Sequence, residues 1–149
     1  MIIRLELAER KLAQFLATGR ANANRKRGSE DRKQGPQNGL IADLDGVGAE
    51  LAFAKAHNLY PDLSLDGAPK ADCTGRWGET IDVKTTRYAS GRLLAVPWKR
   101  ADPCDIYCLV KGVFPDYEIT GIATRAELFA DENLTDLGHG PTYALRVGR

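Results

Sequence analysis

The run Ile81-Asp82-Val83-Lys84-Thr85-Thr86, with Asp72 ten residues before Asp82 across Gly75-Arg76-Trp77-Gly78, holds the residues of this chain best suited to chemistry. Side chains alternate along a strand, so Asp82 and Lys84 share one face while Ile81, Val83 and Thr85 share the other. A carboxylate pair offers hard oxygens to a divalent cation, and an adjacent ammonium can position a water or offset negative charge on a phosphate. Together they suit metal-assisted cleavage of a phosphodiester. A solvated strand face also carries Asp and Lys, so the meaning of the pattern depends on the elements that position it.

The first of these is the turn between the acids. A two-residue loop at Arg76-Trp77 sets Asp72 opposite Ile81 and away from Asp82. A three-residue loop with a glycine in the left-handed conformation sets Asp72 opposite Asp82. Gly75 and Gly78 make such a turn easy to build.

The second is a helix over Ala49–His57, introduced by Asp45-Gly46-Val47-Gly48. It is apolar nearly all round, which predicts a buried helix. Glu50 is its exception: either it lies on a narrow exposed edge, or it is paired, hydrogen-bonded or metal-bound, because uncompensated burial of a carboxylate is costly. Gly46-x-Gly48 lacks both a preceding strand and the rest of a dinucleotide fingerprint.

Around these, Leu5–Leu16 reads as an N-terminal helix with Leu5, Leu12, Phe15 and Leu16 in one stripe. Residues 19–39 are polar, with Gly and Asn and no large hydrophobe, and read as a basic loop or mobile arm. Strands are expected at Lys70–Thr74, Thr80–Thr86, Arg92–Val96, Ile106–Lys111 and Tyr117–Ile122. Ile106-Tyr107-Cys108-Leu109-Val110 is apolar on both faces, as a central strand requires. Thr124-Arg125-Ala126-Glu127 has capping-box spacing and opens a helix through Phe129. Tyr143, Leu145 and Val147 suggest an edge strand. Strands grouped between helices predict an α/β fold of the α+β kind, a central mixed sheet flanked by helices.

The chain has 149 residues, 43% of them hydrophobic and 28% charged, which fits one globular domain, and no apolar run reaches membrane-spanning length. The N-terminus lacks secretory-signal features, so a cytoplasmic protein is expected, of a bacterium or a phage-infected host cell. Cys73, Cys104 and Cys108 are expected as free thiols, their spacing being poor for zinc, and His57 and His139 are isolated. Residues 1–33 carry a net charge of +5 and the remainder −4. A basic arm on an acidic body suits a polyanion, with Arg25, Lys26, Arg27, Arg32 and Lys33 as contact candidates. After the Asp82 strand, Arg87-Tyr88, Arg92 and Trp98-Lys99-Arg100 interleave basic and aromatic residues. There Arg87, Lys99 and Arg100 are the candidate DNA contacts, and Trp98 is expected as a core anchor.

Taken in order, Gly48-Ala49-Glu50-Leu51-Ala52-Phe53-Ala54-Lys55, Ala71-Asp72, Ile81-Asp82-Val83-Lys84-Thr85-Thr86, Asp105–Val110 and Ile119–Ile122 resemble the PD-(D/E)xK nuclease superfamily, and within it small phage-associated members. The resemblance spans residues 46–130, through short, degenerate motifs whose order carries it. It implies a restriction-endonuclease-like core and a Mg²⁺- or Mn²⁺-dependent endonuclease acting on DNA. In it Glu50, Asp72 and Asp82 bind the metal and Lys84 orients or activates the attacking water. Ala71 stands where the motif has proline, and Asp66 is an alternative to Asp72. Cleavage of both duplex strands would call for a homodimer, although no dimer surface is legible. Two other readings compete: a catalytically inactive nucleic-acid-binding protein of the same fold, and a phage structural or partner-binding protein.

Overall fold

The computed structural model describes residues 1–26, 39–66, 71–101 and 103–148. Its elements are β1 (Ile3–Arg4), α1 (Leu7–Lys26), α2 (Gly39–His57), β2 (Cys73–Thr74), β3 (Thr80–Thr86), β4 (Leu93–Ala95), β5 (Ile106–Val113), β6 (Asp116–Thr124), α3 (Arg125–Leu128), β7 (Leu134–Asp136) and β8 (Pro141–Leu145). Short 3₁₀ turns lie at Pro97–Ala101 and Asp131–Asn133.

Strand β5 organises the whole. It is the middle strand of a five-stranded sheet ordered β1-β6-β5-β3-β2, parallel to β3 and antiparallel to β6. Its alternating side chains feed two cores. Cys108 and Val110 pack with Leu16, Val47, Leu51, Phe53, Ile81 and Val83 beneath α1 and α2. Tyr107 and Leu109 pack on the other face with Leu93, Leu128, Phe129 and Tyr143. There a three-stranded sheet, β4-β8-β7, covers the first together with α3. The fold is therefore α+β, with a mixed central sheet between helices and a second sheet. No helix among the described residues is long and apolar enough to cross a membrane.

The capping box forms as its spacing requires: the Thr124 hydroxyl accepts from the Glu127 N–H at 3.2 Å, and the Thr124 N–H donates to the Glu127 carboxylate at 3.0 Å. The three cysteines are free.

Several expectations need correction. Helix α1 does not stop before Gly19 but continues to Lys26, because Ala13, Leu16 and Ala17 carry a buried stripe that Arg20 extends by anchoring to the neighbouring loop. Residues 19–26 are thus helical, while Arg27, Arg32 and Lys33 lie outside the described residues. Phe15 faces solvent rather than the core. Helix α2 begins at Gly39, ten residues earlier than Ala49, so Gly46 and Gly48 lie inside it. Gly48 serves packing there: a Cβ would meet the Tyr117 hydroxyl, which donates to the Asp45 carbonyl at 3.0 Å. The C-terminal strand β8 is the middle strand of the second sheet rather than an edge. The two-residue pairing of β1 with β6 and the strand β7 are too short to leave a periodic signal.

Candidate functional site

Register decides whether the two aspartates meet. Cys73 pairs with Ile81 and Thr74 with Thr80; beyond that pair the Asp72 N–H also turns to the Ile81 carbonyl, at 2.9 Å, and its carboxylate reaches the Val83 N–H, which sets Asp72 against β3 next to Asp82. The hairpin closes with the Gly75 N–H on the Glu79 carbonyl at 2.7 Å and the Gly78 N–H on the Gly75 carbonyl at 3.1 Å. That leaves Arg76-Trp77-Gly78 as a three-residue loop, and Gly78 adopts φ +87°. A left-handed residue at that point is what lets a three-residue loop follow the strand twist, and glycine takes it without steric cost.

Strand β3 then divides its side chains. Ile81 and Val83 enter the core under the helices. Asp82 and Lys84 take the opposite face and bond to one another, Lys84 Nζ lying 2.9 Å from Asp82 Oδ1. Asp72 accepts the Val83 N–H at 2.6 Å, which fixes its carboxylate against the strand. From α2, Glu50 shares a hydrogen bond between carboxyl groups with Asp72 and feels the charge of Asp82. Three separate elements thus bring Glu50, Asp72, Asp82 and Lys84 together at the edge of the sheet. Asp66 is exposed in the loop before β2.

Two further residues complete the cluster. Arg20 of α1 donates to Glu50 Oε2 at 3.0 Å, to the Asp62 carbonyl at 2.6 Å and to the Ser64 carbonyl at 2.9 Å. It ties α1, α2 and the loop before β2 into one support for Glu50. Lys99, on the turn Pro97–Ala101, reaches Asp82 Oδ2 at 3.7 Å. Sequence reasoning missed Arg20 because Gly19 and the asparagines read as loop. The signal was the continued helical spacing of Ala13, Ala17 and Ala21 with Leu16 and Arg20. Lys99, expected as a DNA contact outside the constellation, stands inside the site.

The electrostatics divide in two. Burial raises the Asp72 pKa well above the usual carboxylate range, and the charges of Glu50 and Asp82 push it the same way. Glu50 is also raised, by burial, against the opposing pull of its bond to Asp72 and of Arg20. A carboxyl–carboxyl hydrogen bond needs a proton between the partners, so the pair resists carrying two full charges. At the other end, burial works against the charge of Lys84 but Asp82 outweighs it, and the ammonium is stabilised. Lys99 is lowered, by burial first and then by the charge of Lys84. Among the described residues, no three His, Cys, Asp or Glu side chains form a group that could by itself hold a metal ion. Asp82 is the acid paired with two lysines.

The remaining candidates are dispersed. Arg87 is committed to Asp45 at 2.7 Å. Arg100 bonds the Tyr143 hydroxyl at 2.9 Å and Asp131 at 3.3 Å. Arg25 and Lys26 end α1, where Arg25 bonds Asn22 and both favour the negative end of the helix dipole. Trp98, expected in the core, is 61% exposed, because the turn that carries Lys99 inward turns its neighbour outward.

No protein-family model matches the chain, and no curated protein matches it.

Proposed function

We propose that this chain is a divalent-metal-dependent deoxyribonuclease of the PD-(D/E)xK type that cuts DNA internally. The observation that carries the reading is the meeting of Glu50, Asp72, Asp82, Lys84 and Lys99, from four separate segments, at one sheet edge. The order of these residues along the chain is the order of the superfamily's motifs.

The donor set fits Mg²⁺ or Mn²⁺. Two like carboxyls pressed together, both resisting ionisation, are relieved by a cation between them, and Mg²⁺ is typically bound by one or two carboxylates plus waters and phosphate oxygens. Glu50 and Asp72 would hold it, with Asp82 completing the set once its lysines engage a phosphate instead. When bound, the cation supplies charge neutralisation at the scissile phosphate and a water of lowered pKa. The protein does the rest. Lys84, kept protonated by Asp82, offers positive charge to the phosphate oxygens, which favours electrostatic stabilisation over a role as general base. Lys99 adds a second cation on the same side. Arg20 holds Glu50 against the drift that carboxylate repulsion would cause.

The test combines cleavage and calorimetry. Wild type should bind Mg²⁺ or Mn²⁺ and cut DNA, whereas Asp82→Ala and Lys84→Ala should cut far more slowly. Wild type that binds no divalent cation and cuts no DNA overturns the reading. One observation favours a second reading, DNA binding without cleavage: Asp82 is held by two lysines. Salt-sensitive DNA affinity without metal-dependent cutting would select it.

A further inference from the structure

We infer that Trp98 is a stacking platform for a nucleobase beside the acidic site, and that single-stranded or locally unpaired DNA is the substrate class this site prefers. The inference rests on the nuclease reading for the phosphate, but its own observation is independent of the carboxylates. Both tryptophans of the chain lie on the surface, Trp77 88% and Trp98 61% exposed. A tryptophan offers one of the largest apolar areas a side chain can bury, so its exposure forgoes much stabilisation. Trp77 sits on the tip of the β2–β3 hairpin, and a lone exposed hydrophobe there needs no special account. The position of Trp98 differs.

Lys99 Nζ lies 5.8 Å from the centre of the Trp98 ring and 3.7 Å from Asp82. One ammonium therefore joins the exposed indole to the acidic site. The turn that presents them is braced at its base. The Lys99 N–H donates to the Val96 carbonyl at 3.1 Å, and Arg100 is bonded to Tyr143, itself buried in the second core. Trp98 is thus held outward on an anchored turn, with cationic groups on the two residues that follow it. A phosphate drawn to Lys84 and Lys99 would bring an adjoining base into reach of the ring. Cations for the backbone and an aromatic surface for the base are the pair of features by which proteins hold single strands, and stacking needs a base face that a duplex keeps covered.

Fluorescence tests this on the full chain. Trp77→Phe leaves Trp98 as the sole tryptophan, and EDTA prevents cutting. Titration with a single-stranded oligodeoxynucleotide should quench Trp98 saturably, and the matching duplex should quench it much less. Trp98→Ala should weaken single-strand affinity about 5- to 150-fold, the range expected for one base–aromatic stack, while duplex affinity changes little and Trp98→Phe retains most of the binding. Absence of quenching, or equal losses for single strand and duplex, overturns the inference. The two readings fail separately. Quenching without any metal-dependent cleavage sinks the nuclease and keeps the stacking site; metal-dependent cleavage with unaltered single-strand affinity in Trp98→Ala does the reverse.

Discussion

Helix α2 carries two carboxylates inward, five residues apart, and the molecule treats them in opposite ways. Asp45 is 5% exposed and satisfied: Arg87 Nε meets one oxygen at 2.7 Å and the Phe114 N–H meets the other at 3.0 Å. Glu50 is 18% exposed and set against Asp72, with Asp82 close by and Arg20 as its cation. A buried acid with an opposite charge and a backbone donor fastens the fold. A buried acid facing other acids does not; it stores repulsion that a cation or a proton can relieve. The difference separates a carboxylate whose partners are opposite charge and backbone donor from one set against its own kind.

The sharpest way to break the comparison is to remove each kind of group and ask what is lost. Asp82→Ala and Lys84→Ala should reduce metal-dependent DNA cleavage by about 10²- to 10³-fold, the usual cost of one preorganised electrostatic group, while thermal melting stays near wild type. Asp45→Ala should do the converse. It leaves Arg87 without its counter-charge and the Phe114 N–H without an acceptor, costing about 3 kcal/mol of stability by urea unfolding. Cleavage per folded molecule should hold. A catalytic loss in Asp45→Ala at full folding would erase the distinction.

A smaller effect concerns Asp72. Its folded pKa is raised, so the stability it contributes is fully present below its unfolded value, about pH 3.9, and is lost as pH rises through the folded value. Asparagine keeps the shape, still accepts from the Val83 N–H and does not titrate. In EDTA, Asp72→Asn should therefore melt with wild type near pH 4 and above it at pH 8, at about 2–4 °C for each kcal/mol relieved. Excess Mg²⁺ should raise the wild-type melting temperature and leave the variant unmoved, since about 2.7 kcal/mol follows from a concentration a hundredfold above Kd. A variant less stable than wild type at neutral pH would show that no repulsion is stored there.

The same contrast explains what the sequence could reveal. The catalytic-looking strand was legible because Thr80–Thr86 alternates cleanly and because Gly78 predicts the left-handed turn that sets its register. Strand β5 was legible because it is apolar on both faces. Arg20 was not, because its function depends on a helix whose Gly19 and asparagines argue for a loop; burial against Leu65 and the loop carbonyls overrides that propensity. Arg87 and Lys99 look alike as basic residues after one strand. Only the long-range packing of α2 and of the turn at Pro97–Ala101 sends one to Asp45 and the other to Asp82. In the second sheet β4 and β8 fall where strands are expected, whereas the three residues of β7 are too short for a period-two pattern to register.

The finest probe of the stored repulsion is a neighbouring thiol. Burial raises the Cys73 pKa to about 11, with the charges of Asp72 and then Glu50 adding to the rise. Cys108 is pushed up to about 12, by burial and then by Cys73, without either acid. Only the thiolate reacts readily, so both should label slowly at neutral pH. In Asp72→Asn the loss of negative charge lowers the Cys73 value alone, and labelling at Cys73 should rise by less than about tenfold, the worth of one pKa unit. Any change in global opening alters both thiols together, so the ratio of Cys73 to Cys108 labelling, read by peptide mass spectrometry, isolates the charge. Asp45→Asn should leave that ratio unchanged, because neither thiol senses that carboxylate. An equal response to both substitutions would mean that Asp72 and Asp45 differ in their partners but not in their fields.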